Sequence, residues 1–228
     1  MRRTTEGLRS RVVVVAEGGL VAETIVVALH GEDFDAVSLP LPRGRAGILE
    51  ARRTFEDDGT RLGVVVAEVD DVDQWRDVLG LVEGVRVPWI LVTGSTSLAR
   101  WGGLLAGGCV GVVRMSAGME GLACAVRSVL AEGPAMDQVE YTKALAAWHD
   151  LGSDQREVVS RLAALSQREW EVLGCLSDGL STAKIAERDG VSEGTVRSQV
   201  RAIRQKLNVR SQLAAVAAYQ TAMEFGSV

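Results

Sequence analysis

Two kinds of apolar pattern alternate along the chain between residues 11 and 131. Short runs dominated by Val, Ile and Leu fall at Arg11–Ala16, Phe34–Leu39, Leu62–Ala67, Val87–Thr93 and Val110–Arg114. Between them, at Leu20–Leu29, Ala46–Asp57, Gln74–Val82, Ser97–Ala106 and Met119–Ala131, the pattern is helical. A continuous apolar run is a strand buried on both faces, and an amphipathic stretch is the helix that covers it. Five strand–helix units in succession predict a flavodoxin-like, doubly wound α/β domain over residues 1–131. The functional end of such a domain lies at the C-terminal ends of its strands.

Residues 132–164 break this rhythm and read as a linker. It is partly helical, with Tyr141, Leu145 and Trp148 at helical spacing and a break at Gly152-Ser153-Asp154. From 165 to 228 the pattern is helical throughout, which predicts a small four-helix domain. Ser166 and Glu169 have the spacing of a capping box before Trp170, Leu173 and Leu176, and Asp178-Gly179 ends that helix. Ser181 opens a second helix with Ile185 and Ala186 inward, ending at Asp189-Gly190. Ser192 and Glu193 open a third, with Val196, Val200, Ile203 and Leu207 on its inner face. Two helices joined by a tight turn, the second of them basic, form the layout that places a helix in a DNA major groove. A last alanine-rich helix, Ser211–Met223, carries Leu213, Val216, Ala217 and Gln220 on one stripe, with Ala214, Ala218 and Met223 close by.

Charge sharpens this picture. The chain carries a net charge of −5, yet between Ser192 and Arg210 five cations (Arg197, Arg201, Arg204, Lys206, Arg210) face the single acid Glu193. A local basic stripe on an acidic protein is the electrostatic footprint of nucleic-acid binding. Arg197 and Arg201, four residues apart, share a helix face with Ser198. A guanidinium fork matches the O6 and N7 acceptors of guanine, and a hydroxyl can donate or accept. The plainer alternative is a solvated helix face.

Other chemistry is sparse. His30 and His149 lie far apart, and Cys109, Cys124 and Cys175 have no paired spacing. No metal site, cofactor, disulfide framework or catalytic constellation is expected, and a reducing, cytoplasmic setting is. Arg2, Arg3, Arg9 and Arg11 precede Val12–Ala16 in the manner of a signal peptide, but the apolar run is too short for one. No segment reaches transmembrane length.

The segment from Leu165 to Val209 resembles the LuxR-type helix–turn–helix at the C-terminus of NarL/FixJ-type response regulators. The motifs are Leu165-Ser166, Arg168-Glu169, Val172-Leu173, Gly179-Leu180-Ser181, Lys184-Ile185-Ala186, Val191-Ser192, Thr195-Val196 and Lys206-Leu207. The resemblance implies that Arg197, Ser198 and Arg201 reach base edges, and that Thr182, Lys184, Thr195 and Lys206 lie near phosphates. Gln199 stands where the family often has His, which puts the preferred DNA sequence in question. The resemblance also implies a dimer seam along the last helix.

It further implies a receiver at the N-terminus, and here the chain departs from the pattern. The two metal-holding acids of a receiver fall on Ala16 and Glu17, the phosphoryl acceptor on Glu68, the hydroxyl on Thr93 and the lysine on Met115. A one-residue slip would offer Arg114 for the lysine. One acid and the lysine are missing, and the acceptor is a longer carboxylate. Asp70, Asp71 and Asp73 are alternative acceptors, more readily read as solvated loop acids. The expectation is a degenerate receiver that works without aspartyl phosphorylation.

The protein is therefore expected to be a non-enzymatic transcription regulator, cytoplasmic and nucleoid-associated, binding promoter double-stranded DNA as a homodimer. A small molecule, a partner protein or its own abundance would control it, with no membrane involved. The competing readings are a conventional phosphorylation-activated response regulator of a two-component system, an enzyme fused to a DNA reader, and a protein-binding adaptor with a vestigial helix–turn–helix.

Overall fold

The computed structural model describes residues 11–57 and 59–224. The arginines expected at positions 2, 3 and 9 and the last four residues of the 165–228 segment lie outside the described residues.

The N-terminal half is a parallel sheet of five strands with helices on both faces. Strands β1 (Arg11–Ala16), β2 (Asp35–Pro40), β3 (Leu62–Val66), β4 (Trp89–Thr93) and β5 (Cys109–Arg114) lie in the order β2-β1-β3-β4-β5. This is the flavodoxin-like order. Side chains alternate across β1. Val12, Val14 and Ala16 pack with Ile25 and Leu29 of α1 (Gly19–Gly31) and with Leu122 and Val126 of α5 (Gly118–Leu130). Val13 and Val15 face the opposite core, with Phe55 of α2 (Gly44–Asp57), Trp75 and Val78 of α3 (Val72–Gly84), and Trp101 and Leu104 of α4 (Leu98–Gly107). Both faces are covered, so the strands need no polar face. Strand β1 has the expected bounds, and the other strands differ from expectation at one or both ends by one or two residues.

The segment expected as a linker is two helices, α6 (Gln138–Asp150) and α7 (Ser153–Ala163). Helix α6 packs along α4, with Ala144 fully buried. A Cβ on Gly102 would lie 2.0 Å from the Ala144 carbonyl oxygen, so only glycine permits this approach. The Trp148 ring sits 6.3 Å from that of Trp75, whose indole N–H donates to the Arg100 carbonyl at 3.0 Å. Helix α6 thus belongs to the α/β domain by packing, while α7 reaches across to the C-terminal helices. Gly152, expected as a break, is the N-cap of α7.

The C-terminal domain comprises α8 (Gln167–Ser177), α9 (Thr182–Asp189), α10 (Glu193–Leu207) and α11 (Gln212–Glu224). Ser166, Ser181 and Ser192 each accept a backbone N–H as N-caps, and Ser166 with Glu169 completes the capping box. Gly190 and Asn208 adopt the left-handed conformation that stops α9 and α10. Trp170, Leu173, Ile185, Val196, Ile203 and Leu207 fill the core, and the Tyr219 ring of α11 packs tilted against Trp170, centroids 4.9 Å apart.

Candidate nucleic-acid interface and receiver pocket

Helix α10 buries Val196, Val200, Ile203 and Leu207 and turns Arg197, Ser198 and Arg201 to solvent. Arg197 donates to Glu193 at 2.9 Å but remains 70% exposed, and Ser198 donates to the Gly194 carbonyl one turn back. Glu193 also accepts from Thr182 at 2.8 Å, which ties the start of α9 to the start of α10 and fixes the angle between the two helices. Those two hydrogen bonds, from Thr182 first and then Arg197, hold Glu193 below the usual carboxylate range. Thr195 is exposed and its hydroxyl meets that of Ser192 at 2.8 Å. Lys184 is exposed on α9.

Lys206 is placed apart from this group. At about 100° per residue it projects roughly 180° away from Arg197. Its ammonium bonds Glu169 at 2.6 Å, against the capping box of α8. Burial pushes the Glu169 carboxyl up, but the bonds from Lys206 and Ser166 outweigh that and hold it below its ordinary value. In the free protein the Lys206 ammonium is thus engaged in an ion pair near the joint between the domains, on the side of α10 away from Arg197. Two further residues were not expected as contacts from the sequence. Arg204 and Arg210, counted only as charge, line with Arg201 a shallow depression of about 690 Å³ at the end of α10. The Arg204 guanidinium donates to the Arg210 carbonyl and holds the turn after Asn208. The three-residue offset of Arg204 from Arg201 is the signal that could have placed it; Arg210 lies past the left-handed stop at Asn208, where helical spacing gives no signal.

On α11 the buried positions are Ala215 and Ala222, with Val216 and Tyr219 packed against the core. Leu213, Ala217 and Gln220 are exposed, Leu213 at 78%. Val216 therefore belongs partly to the inner face, and the other three to the outer one.

At the C-terminal ends of β1 and β3 the structure brings Glu17 and Glu68 onto one side chain, Gln74 in the first turn of α3, with Thr93 at the end of β4. The Gln74 amide donates to Glu17 at 3.1 Å and accepts the Glu68 N–H at 2.9 Å. Glu17 accepts from Arg43 at 2.6 Å, and this bond raises the Arg43 pKa. The Glu68 carboxylate accepts the Gly94 N–H at 3.2 Å. Thr93 is fully buried and its hydroxyl accepts the Ser95 N–H, while Ser95 donates to Asp70 at 2.5 Å. Asp71 caps α3 through the Gln74 N–H. Ala16 is buried, and Met115 is 49% exposed beyond β5. Arg114, one residue before Met115, bonds Glu140 of α6 and lies 5.3 Å from the Trp101 ring.

A resident Mg²⁺ needs several oxygen ligands in near-octahedral array. Ala16 supplies none, Glu17 is paired with Arg43, and among the described residues no three His, Cys, Asp or Glu side chains gather as a metal site. The residues do not fit that cation; the fixed charge of Arg43 stands against Glu17 instead.

The two domains meet at Arg76 of α3. It is only 4% exposed, lies 4.6 Å from the Trp170 ring, and donates to Gln167 at 2.7 Å and to Asp77 at 3.0 Å. Burial raises the Asp77 carboxyl, opposed by Arg76.

Residues 163–219 match the family described as bacterial regulatory proteins, luxR family. Over 56 residues the chain is 39% identical to the HTH-type transcriptional regulator MalT of Vibrio cholerae, a match that covers 25% of this chain and 6% of that protein. It is 28% identical over 203 residues to the nitrate/nitrite response regulator protein NarP of Escherichia coli, covering 89% of this chain and 80% of NarP. It is 29% identical over 206 residues to the DNA-binding transcriptional activator DevR/DosR of Mycobacterium tuberculosis, covering 90% and 81%. The C-terminal domain belongs to the LuxR family of bacterial regulatory proteins. With its receiver-type α/β domain, the whole chain has the make-up of a NarL/FixJ-type response regulator.

Proposed function

We propose that the protein is a sequence-specific transcription regulator that reads double-stranded promoter DNA as a homodimer and works without aspartyl phosphorylation. The observation that carries the DNA-reading part is the exposed Arg197, Ser198 and Arg201 face of α10, set at a fixed angle by the Thr182–Glu193–Arg197 bonds. In this reading Arg197, Ser198 and Arg201 contact base edges, and Thr182, Lys184, Thr195, Arg204 and Arg210 lie along the phosphates. Division into 1–131, 132–164 and 165–228 is kept as a working description, with α6 assigned by packing to the first part.

Phosphorylation independence is supported by the occupied pocket. Phosphoryl transfer relies on positioned metal and charge. Here the one remaining acid of the metal pair is held by Arg43 and Gln74, and no lysine follows β5 at the required place. Control then falls to a small molecule, a protein partner or abundance. The test is intact mass after incubation with acetyl phosphate and Mg²⁺, alongside a DNA shift assay on the same samples. The expected result is no phosphoryl adduct and an unchanged shift. A stable adduct at Glu68, Asp70, Asp71 or Asp73 that strengthens DNA binding would establish the conventional phosphorylated regulator instead.

A further inference from the structure

A cleft of about 650 Å³ opens between the two domains, within the range of small-molecule sites. One wall is α2 and α3, the other is the α7–α8 junction with Lys206 of α10. Its apolar lining is Ile48, Leu49 and Leu165, with Ile48 seated directly on Gly80 and Gly84, where a Cβ would lie 3.0 and 2.4 Å from its side chain. Leu49 is 53% exposed, although it sits on a helix that buries Phe55 in the core. Three cations, Arg52, Arg76 and Lys206, border the cleft, against Asp77 and Glu83; Arg52 is also paired with Glu56 and Lys206 with Glu169. Asp77 is bonded to Arg76, so Glu83 is the acid that opposes an incoming anion. Arg76 is more than nine-tenths buried, yet its Nη1 makes no hydrogen bond and reaches only Asp73, at 3.8 Å. A buried guanidinium nitrogen without an acceptor has a standing demand for one.

We propose that this cleft binds a small amphipathic organic anion, with its apolar body on Ile48 and Leu49 and its acidic group toward Arg76 and Lys206. The inference rests on the reading that control comes from something other than phosphorylation, and it names where and by what chemistry. The site is built from both domains, so its occupant binds the docked arrangement better than a separated one. Occupancy shifts the population of that arrangement, and DNA binding changes with it. By linkage, DNA changes the anion's affinity by the same factor.

The test uses the full chain and the fluorescent aryl sulfonate 1-anilinonaphthalene-8-sulfonate as probe. The expected result is saturable one-to-one binding. Leu49→Asp, at a half-exposed position that leaves the core intact, should weaken it about fivefold, and Glu83→Gln should tighten it by a similar factor. This is the effect of one unit charge near contact distance in a water-exposed cleft. Addition of duplex DNA should shift the probe's dissociation constant. Non-saturable fluorescence, or binding unmoved by both variants, would overturn the site. Probe binding that DNA leaves unchanged would overturn its link to DNA binding while the site stands. The acetyl phosphate experiment is independent of all three results, so failure of the cleft and failure of phosphorylation independence are distinguishable.

Discussion

Arg201 and Lys206 carry the same charge on the same helix and should behave differently. Arg201 lies on the outward face, where bidentate contact with guanine contributes about 1–3 kcal/mol of discrimination. Arg201→Ala should lower the ratio of specific to nonspecific binding accordingly, read by competition shift assays. An unchanged ratio would remove Arg201 from the base-reading set. Lys206 instead holds Glu169 at 2.6 Å. Lys206→Met should leave the salt dependence of DNA binding nearly unchanged and cost about 1–3 kcal/mol of stability, because it removes a charge-assisted bond to a largely buried carboxylate. The pH dependence follows from the sign of the Glu169 shift. Its folded pKa is depressed, so its stabilisation is present above its unfolded value, about 4.3, and fades as pH falls through the folded value. The stability difference between wild type and Lys206→Met should therefore shrink in acid urea melts. A constant gap down to low pH would show that Lys206 acts through packing alone.

At the scale of elements, the periodicities that were easy to read correspond to the parts that bury apolar area locally. Val12 to Ala16 are buried on both faces of a parallel strand, and that environment writes itself as an unbroken apolar run. The three serine caps and the glycine stop of α9 were legible for the same reason, since each acts within a few residues of itself. What could not be read was set by partners far away in the chain. Gly102 looks like an ordinary helix-weakening glycine until Ala144 is seen to lie against it. Lys206 matched the motif by position, but its partner is 37 residues upstream. Spacing alone assigned Ala16 and Met115 to the pocket positions as an expectation, whereas the bridging of Glu17 and Glu68 by Gln74, and the pairing of Glu17 with Arg43, join residues far apart in the chain. Gly102→Ala is the sharp test of the α4–α6 contact. Its Cβ would meet backbone, which cannot rotate away, so α6 must shift. Overpacking of this kind costs about 1–3 kcal/mol, and thermal melts should show the loss. A variant as stable as wild type would mean that α6 is loosely held. On α11, Leu213→Asp should leave the monomer folded, because the side chain is already in solvent, and should lower the dimer fraction in sedimentation if this outer face is the seam. Unchanged dimerisation would move the seam elsewhere.

For the whole molecule, the question is whether the two domains unfold as one. A single apolar cluster runs from Val13 and Trp75 of the α/β domain through Val159 and Leu162 of α7 into Trp170 and Ile203. Arg76 lies in that seam, over Trp170 and bonded to both Asp77 and Gln167. Breaking a buried pair is far more damaging than never having built it, because the remaining partner stays desolvated; the loss is about 3–5 kcal/mol. Arg76→Ala would leave Asp77 in that position. Burial has already raised the Asp77 pKa, and without Arg76 opposing it the carboxyl would rise further and bind a proton nearer neutrality. The partners of Arg76 all lie at the joint, so the damage falls on docking more than on either core. Wild type should melt in calorimetry as one transition. Arg76→Ala should show two, with the C-terminal domain still binding DNA nonspecifically through its own basic face. Asp77→Asn in the Arg76→Ala background should recover part of the lost stability, since it removes the orphaned charge. A single transition in all three proteins, shifted only in midpoint, would mean that α7 and the shared apolar cluster couple the domains without Arg76.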